Sequence, residues 1–155
     1  TINSYAQSED KYWETWNKNY PEVDIVNILN YEVDYAKGVE KDQKIAQYYS
    51  RLDKYKFQAK YLGQVRKMDK NVLQSMFNVF KLFAGDPATI KDICDKEVLF
   101  KVGEYELWMP IQSKIFQAFE NEVSAGDVIN LYCLFFNEHN SKKTLYNTFL
   151  ISEFN

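Results

Sequence analysis

The stretch Val128-Ile129-Asn130-Leu131-Tyr132-Cys133-Leu134-Phe135-Phe136, answered after a polar gap by Thr144 to Phe154, constrains this chain most. Its β-branched and aromatic residues suit a pleated surface. Leu131, Cys133 and Phe135 fall on one face of such a strand, and Tyr132, Leu134 and Phe136 on the other. A strand with one wet face would alternate apolar with polar. Apolar residues on both faces therefore predict a hairpin covered on two sides or curled into a barrel. The connector Asn137-Glu138-His139-Asn140-Ser141-Lys142-Lys143 is polar and longer than a tight turn, so it is expected to project into solvent.

The upstream chain reads as what covers or completes that sheet. Ser8 is a plausible N-cap for a short helix in which Trp13 and Trp16, three apart, share a face and clamp it to the body. Pro21 suits the first position of a second helix, with Glu22 and Asp24 in its first turn. Ile25, Ile28, Leu29, Tyr35, Ala36 and Val39 then step at threes and fours, interrupted only by Glu32. That carboxylate is expected to reach solvent or an arginine such as Arg51, or to act as an acid with a raised pKa if a second group joins it.

From residue 45 the period falls to two. Ile45 to Tyr49 and Tyr55 to Tyr61 predict two strands turning near Leu52-Asp53-Lys54, with a continuous helix as the alternative, and Gly63 is expected to end or bulge the second strand. Val72 to Phe83 is the most apolar helical segment and is expected to be buried on several sides, ending at Gly85. Asp86-Pro87 starts a short helix. Glu97 to Val102 and Tyr105 to Gln112 form a hairpin, with Pro110 at a sheet edge, and Ser113 caps a helix striped by Ile115, Phe116, Phe119 and Val123. The fold class is thus α+β: N-terminal helices plus a curved antiparallel sheet or small, partly open, OB-like β-barrel, with helices between hairpins.

One domain accounts for residues 7–155, a helical lead over 8–40 and a sheet-forming part over 43–155. Residues 1–6 end in Ser4-Tyr5-Ala6, the small-x-small pattern of a secretory cleavage site, and read as a signal remnant. Export to a bacterial periplasm or medium is the expected location. Cys94 and Cys133 are distant in sequence, and a free buried Cys is the simpler reading of each. With one His and no Cys-x-x-Cys, a structural zinc site of the usual kind is not expected.

Trp108-Met109-Pro110-Ile111-Gln112, then Gly126-Asp127 with Leu131-Tyr132, and finally Glu153-Phe154 carry a resemblance. Residues 97–155 resemble the closing section of uncharacterised exported bacterial domains, which pair a Trp-x-Pro-x-Gln strand with a Gly-Asp-x-x-x-Leu-Tyr strand and end in Glu-Phe. The resemblance implies a small OB-like or SH3-like barrel and no particular activity.

Chemical motifs are absent: there is no phosphate-binding glycine loop and no Gly-x-Ser-x-Gly elbow. Three apolar Phe at 77, 80 and 83 suit core packing better than a haem pocket, since no axial ligand accompanies them. His139 with Glu138 is an exposed loop pair that a metal or nucleophile would need to join, and Cys133 is a weak partner for it. A net charge of −3 gives no basic footprint for nucleic acid, and no stretch is long and apolar enough to span a bilayer. The 17% aromatic content, with 12 Tyr, is high. Beyond core filling, it suggests a sheet surface that recognises a protein, peptide or oligosaccharide through Trp108, Tyr105, Tyr132, His139 and Glu138. The expected function is therefore an exported, non-enzymatic binding or interaction module without cofactor. The alternatives are a hydrolase pairing Glu32 with Glu104 or Glu138 and an accessory subunit of a larger cell-envelope complex.

Overall fold

The computed structural model describes the backbone of residues 2–42 and 49–155, and the side chains of residues 8–42 and 49–155. In chain order the elements are α1 (Ile2–Asn19), α2 (Ile25–Lys41), β1 (Tyr49–Lys67), α3 (Lys70–Phe83), a single 3-10 turn at Pro87–Ile90, β2 (Lys96–Val102), β3 (Tyr105–Ile111), α4 (Ser113–Glu122), β4 (Val128–His139) and β5 (Leu145–Phe154). The strands run β1-β2-β3-β5-β4 around the sheet, and β4 returns to β1, so the curved sheet closes in a ring. This is the expected α+β class with a curved sheet, and α4 lies between the two hairpins. The sheet is mixed rather than purely antiparallel, because β3 meets β5 in parallel at Ile111↔Ile151. That contact is confined to the end of β3, so Pro110, opposite Glu97 of β2, has no register partner on its β5 side.

Closure depends on β1, which serves two neighbours. Its first part, Tyr49 to Lys60, pairs with β4, and its second, Lys60 to Lys67, with β2. The turn expected near Leu52-Asp53-Lys54 is not formed. Those residues pair with Phe136, Phe135 and Leu134 in an unbroken ladder, and no Gly, Pro or Asn supplies a turn there. The continuous helix is likewise ruled out for residues 49–67, while the strand expected over 45–48 lies outside the described residues.

Just beyond the change of partner at Lys60, Gly63 lies in an irregularity of the ladder with β2. The register shifts between Tyr61 and Val65, Gly63 has φ +80°, and a Cβ there would stand 2.7 Å from the Ala125 Cβ. Beside it, the Gly126 N–H donates to the Tyr61 carbonyl at 2.8 Å and the Tyr61 N–H to the Asp127 carbonyl at 2.9 Å. Both the left-handed backbone and the close approach exclude a side chain. Gly63→Ala should therefore cost about 1–3 kcal/mol in urea unfolding, and a loss below ~0.5 kcal/mol would show that the bend does not need glycine.

Two apolar cores follow from the both-sided strands. The inner one gathers Phe57, Phe100, Met109, Ile111, Leu131, Cys133, Phe135, Phe149 and Ile151, with Ile25 and Leu29 from α2 and Phe119 from α4. Phe119 meets Tyr61, Phe100 and Phe154 edge to face. The outer one packs Met76 and Val79 of α3 on Phe136 and Leu150, with Met68 and Cys94. The expectation that α3 is buried on several sides is corrected: it lies on the outside of the ring, and Leu82 and Phe83 at its end stay exposed. Cys94 and Cys133 are buried and free, one in each core.

The helix starts also differ from expectation. α1 begins at Ile2, which places Ser8 inside the helix instead of at its cap. α2 is capped by Asp24, which accepts from the Asn27 N–H at 3.2 Å. Pro21 stays outside it, in a short connection where the Lys56 N–H donates to the Pro21 carbonyl. Gln112, not Ser113, is the N-cap residue of α4.

Candidate functional site

The inner stripe of α2 is Ile25, Leu29, Glu32, Ala36 and Val39, in steps of four and three. Ile25 and Leu29 enter the inner core, but one turn later the same stripe brings Glu32, 1% exposed, to the end of the ring. There the strands change chemistry. Arg51 pairs with Asn137 and Tyr49 with His139 across β1 and β4, and Asn137 pairs with Asn147 across β4 and β5. The ring end is thus polar where its middle is apolar, and these groups satisfy the helix carboxylate. Glu32 Oε1 is ion-paired with Arg51 Nη2, and Oε2 accepts from Asn137 Nδ2 at 3.3 Å. Asn137 Nδ2 also donates to Asn147 Oδ1 at 2.9 Å. Arg51 lies over the Phe135 ring, 5.6 Å from its centroid, and remains 39% exposed. Of the roles expected for Glu32, the partnership with Arg51 is the one the structure forms.

Outside this ion pair stand three tyrosines. Tyr31 and Tyr35, four apart on α2, stack at 5.9 Å between centroids, and Tyr35 meets Tyr49 edge to face at 4.9 Å. Together Tyr31, Glu32, Tyr35, Tyr49 and Arg51 line an open cavity of 230 Å³. Tyr31 is 59% exposed. The Tyr49 hydroxyl is buried and lies beside the Glu32 carboxylate. Burial first, and then the negative charge of Glu32, push its phenol well above the ordinary tyrosine range, so it stays protonated.

Raised acids tie stability to alkaline pH. Tyr12, Tyr20, Tyr49, Tyr55 and Tyr61 are raised from 10.0, Cys94 is pushed up from 9.0 to about 12, and Cys133 well above 9.0, in every case chiefly by burial. Above these reference values the unfolded chain has lost protons that the folded chain keeps, so unfolding releases protons and stability falls as pH rises. The expected result is an unfolding free energy unaffected by these groups below pH 9.0 and falling steadily above it. A flat profile through that range would contradict the burial assigned to them.

The residues expected to form one aromatic groove are dispersed. Trp108, half-buried on the outside of β3, lies under the Arg66 guanidinium at 4.2 Å, and Arg66 Nε donates to the buried Glu97 at 2.9 Å, which makes the stack a packing device. Tyr105 donates to Asn30 of α2. Tyr132 is fully buried, because α1 covers the outer face of β4 there: Trp13 stacks on it at 5.7 Å, Trp16 and Tyr20 meet it edge to face, and its hydroxyl donates to Asn17 at 2.9 Å. The two tryptophans thus form the expected clamp.

His139 and Glu138 are not in an exposed loop. β4 runs through His139, leaving only Asn140 to Thr144 as the turn. His139 is 2% exposed, with Nε2 at 3.1 Å from Glu40. Glu138 faces the opposite side of the strand and accepts from Asn78 of α3 at 3.1 Å.

Of the carboxylate pairs considered, Glu32 and Glu138 therefore lie on opposite sides of β4, and Glu104 sits in the exposed β2–β3 turn. Cys133, fully buried and pushed up by that burial, is poorly suited to act as a nucleophile toward His139. Among the described residues no three His, Cys, Asp or Glu side chains converge on a metal position, and no helix is long and apolar enough to cross a membrane. Sequence reasoning missed the tyrosine cavity. Its signals were the one charge in the α2 stripe and two tyrosines at helical spacing beside it. Comparison of the chain with family models, with curated proteins and with solved structures gives no match.

Proposed function

We propose that this chain is a non-enzymatic interaction module that anchors a protein or peptide partner in the cavity lined by Tyr31, Tyr35, Tyr49 and Arg51. The observation that carries this reading is the exposed Tyr31–Tyr35 stack beside a guanidinium held by a buried carboxylate. Tyrosine and arginine dominate binding hot spots because they offer large, stiff contact area with polar tips. The cavity admits one inserted side chain, and Arg51 and the protonated Tyr49 hydroxyl supply donors for an acceptor on it. Glu32 offsets the charge of Arg51, so the site favours a polar acceptor such as a carbonyl or amide over a strong anion. Export, suggested by the Ser4-x-Ala6 pattern, belongs to the same proposal. A fused reporter active only outside the cytoplasm checks it, and a silent reporter would count against it.

Selection of peptides from a random display library, followed by titration of the enriched sequences, tests the reading. Tyr35→Ala should weaken them about tenfold or more, as loss of an aromatic anchor does, while Trp108→Phe leaves affinity unchanged. Peptides that bind equally well to Tyr35→Ala would remove the cavity from the account. Oligosaccharides binding there in place of peptides would replace the partner class.

A further inference from the structure

Another cleft, lined by described residues, lies between α3 and the β4–β5 hairpin, away from the tyrosine cavity, and its lining differs in kind. It measures 310 Å³, near the lower bound of small-molecule pockets. Asn71, Ser75 and Asn78 line it from one side of α3, and Glu138, Lys142 and Tyr146 from the hairpin. The hairpin wall is held by Asn140, whose Oδ1 accepts from the N–H groups of Lys142 at 3.0 Å and Thr144 at 3.1 Å. On the helix wall Gln74 Nε2 donates to Asn78 Oδ1 at 3.0 Å, and Asn78 Nδ2 donates to Glu138 Oε2 at 3.1 Å. This chain of bonds fixes both planes and leaves the other Glu138 oxygen as an acceptor.

One group in the cleft is unaccounted for by the fold. Ser75 is 2% exposed, yet its hydroxyl has no hydrogen-bond partner among the described residues. A serine inside a helix usually bonds back to the carbonyl four residues earlier, and a buried hydroxyl left unpaired is costly. A ligand in the cleft that both donates to and accepts from this hydroxyl would relieve that cost. Glu138 opposes a phosphate or carboxylate, and Lys142, without an ion pair among the described residues, opposes a bare cation. What remains is a neutral ligand rich in hydroxyl groups, each a donor and an acceptor, with one apolar face for the Tyr146 ring.

We propose that this cleft binds a single sugar residue, as the terminal or branch unit of a glycan, with Ser75, Asn78 and Glu138 reading its hydroxyls. The proposal does not rest on the peptide reading of the tyrosine cavity. It is tested by titrating the isotope-labelled protein with a panel of neutral monosaccharides and their short oligomers. Resonances of α3 and of the 138–146 hairpin should shift for at least one sugar. Ser75→Ala, which removes only the unpaired hydroxyl, should keep or raise the melting temperature and weaken that sugar about threefold to tenfold, the range of one hydrogen bond. Asn78→Ala, which also frees Glu138, should weaken it further, and Tyr35→Ala should leave it unchanged. No shift for any sugar, or binding that survives Ser75→Ala combined with Asn78→Ala, overturns the proposal. So does a melting temperature lowered by Ser75→Ala, which would mean that the hydroxyl has a structural partner.

Discussion

Arg51→Ala should lower the unfolding free energy by about 3 kcal/mol, the low end of what breaking a buried ion pair costs. Removing the guanidinium leaves the Glu32 carboxylate, 1% exposed, without a cationic partner among the described residues, facing the Asn137 amide and the Tyr49 hydroxyl. The low end applies because Arg51 is itself 39% exposed and water can follow it into the gap. A loss of that size is a large share of the ~5–15 kcal/mol that holds a domain of this kind together. The control is the double change Arg51→Met with Glu32→Leu, which continues the apolar stripe of Ile25 and Leu29. It should restore stability to within about 1 kcal/mol of the parent or exceed it, since well-packed apolar replacements of buried pairs are often neutral or stabilising. Urea unfolding of the three variants is sufficient. A single variant that loses less than ~1 kcal/mol would show that water, not Arg51, sustains the buried carboxylate. The ion pair is then poorly explained by stability alone, and its place beside the tyrosine cavity is what the binding account explains.

Tyr132→Ala should cost about 3–5 kcal/mol, the range for truncating a fully buried aromatic. The ring is the platform on which α1 rests through Trp13 and Trp16, Tyr20 just after the helix meets it edge to face, and Lys56 lies over it at 5.5 Å. Its effect should therefore be local as well as global. Amides of α1 should lose hydrogen-exchange protection before those of β4 do. Tyr132→Phe, which removes only the bond to Asn17, should cost about 1 kcal/mol. Equal loss of protection in α1 and in the ring would mean that α1 is part of one cooperative unit with the sheet, rather than a cover laid on it.

The parts of this fold legible in the sequence are those where one residue pattern has one physical reading. The β4–β5 hairpin was legible because apolar residues on both faces leave a strand no choice but burial, and the β2–β3 hairpin because Gly103-Glu104 supplies its turn. Glu32 was legible as an anomaly, being the only charge in a helix stripe, and Arg51 was named as its partner. The failures share a cause. Leu52, Asp53 and Lys54 resemble a turn by composition, but they stand opposite Phe136, Phe135 and Leu134 in a ladder that only the folded sheet defines. Asn137, Glu138 and His139 resemble a loop for the same reason, yet each finds a partner from a helix distant in sequence: Glu32, Asn78 and Glu40. Tyr132 reads as surface in the sequence because a both-sided strand does not reveal which helix covers which side. Local pattern reports burial on a strand, not the identity of the cover.

The central claim is that Tyr31, Tyr35, Tyr49 and Arg51 form the recognition site. Amide and aromatic chemical-shift mapping with a library-selected peptide tests it most directly. The account predicts shifts concentrated on the middle of α2, around Tyr31 to Tyr35, and on the first residues of β1, with Trp108 and Arg66 unmoved. Shifts centred on the Arg66–Trp108 face, or on the exposed end of α3 at Leu82 and Phe83, would contradict it.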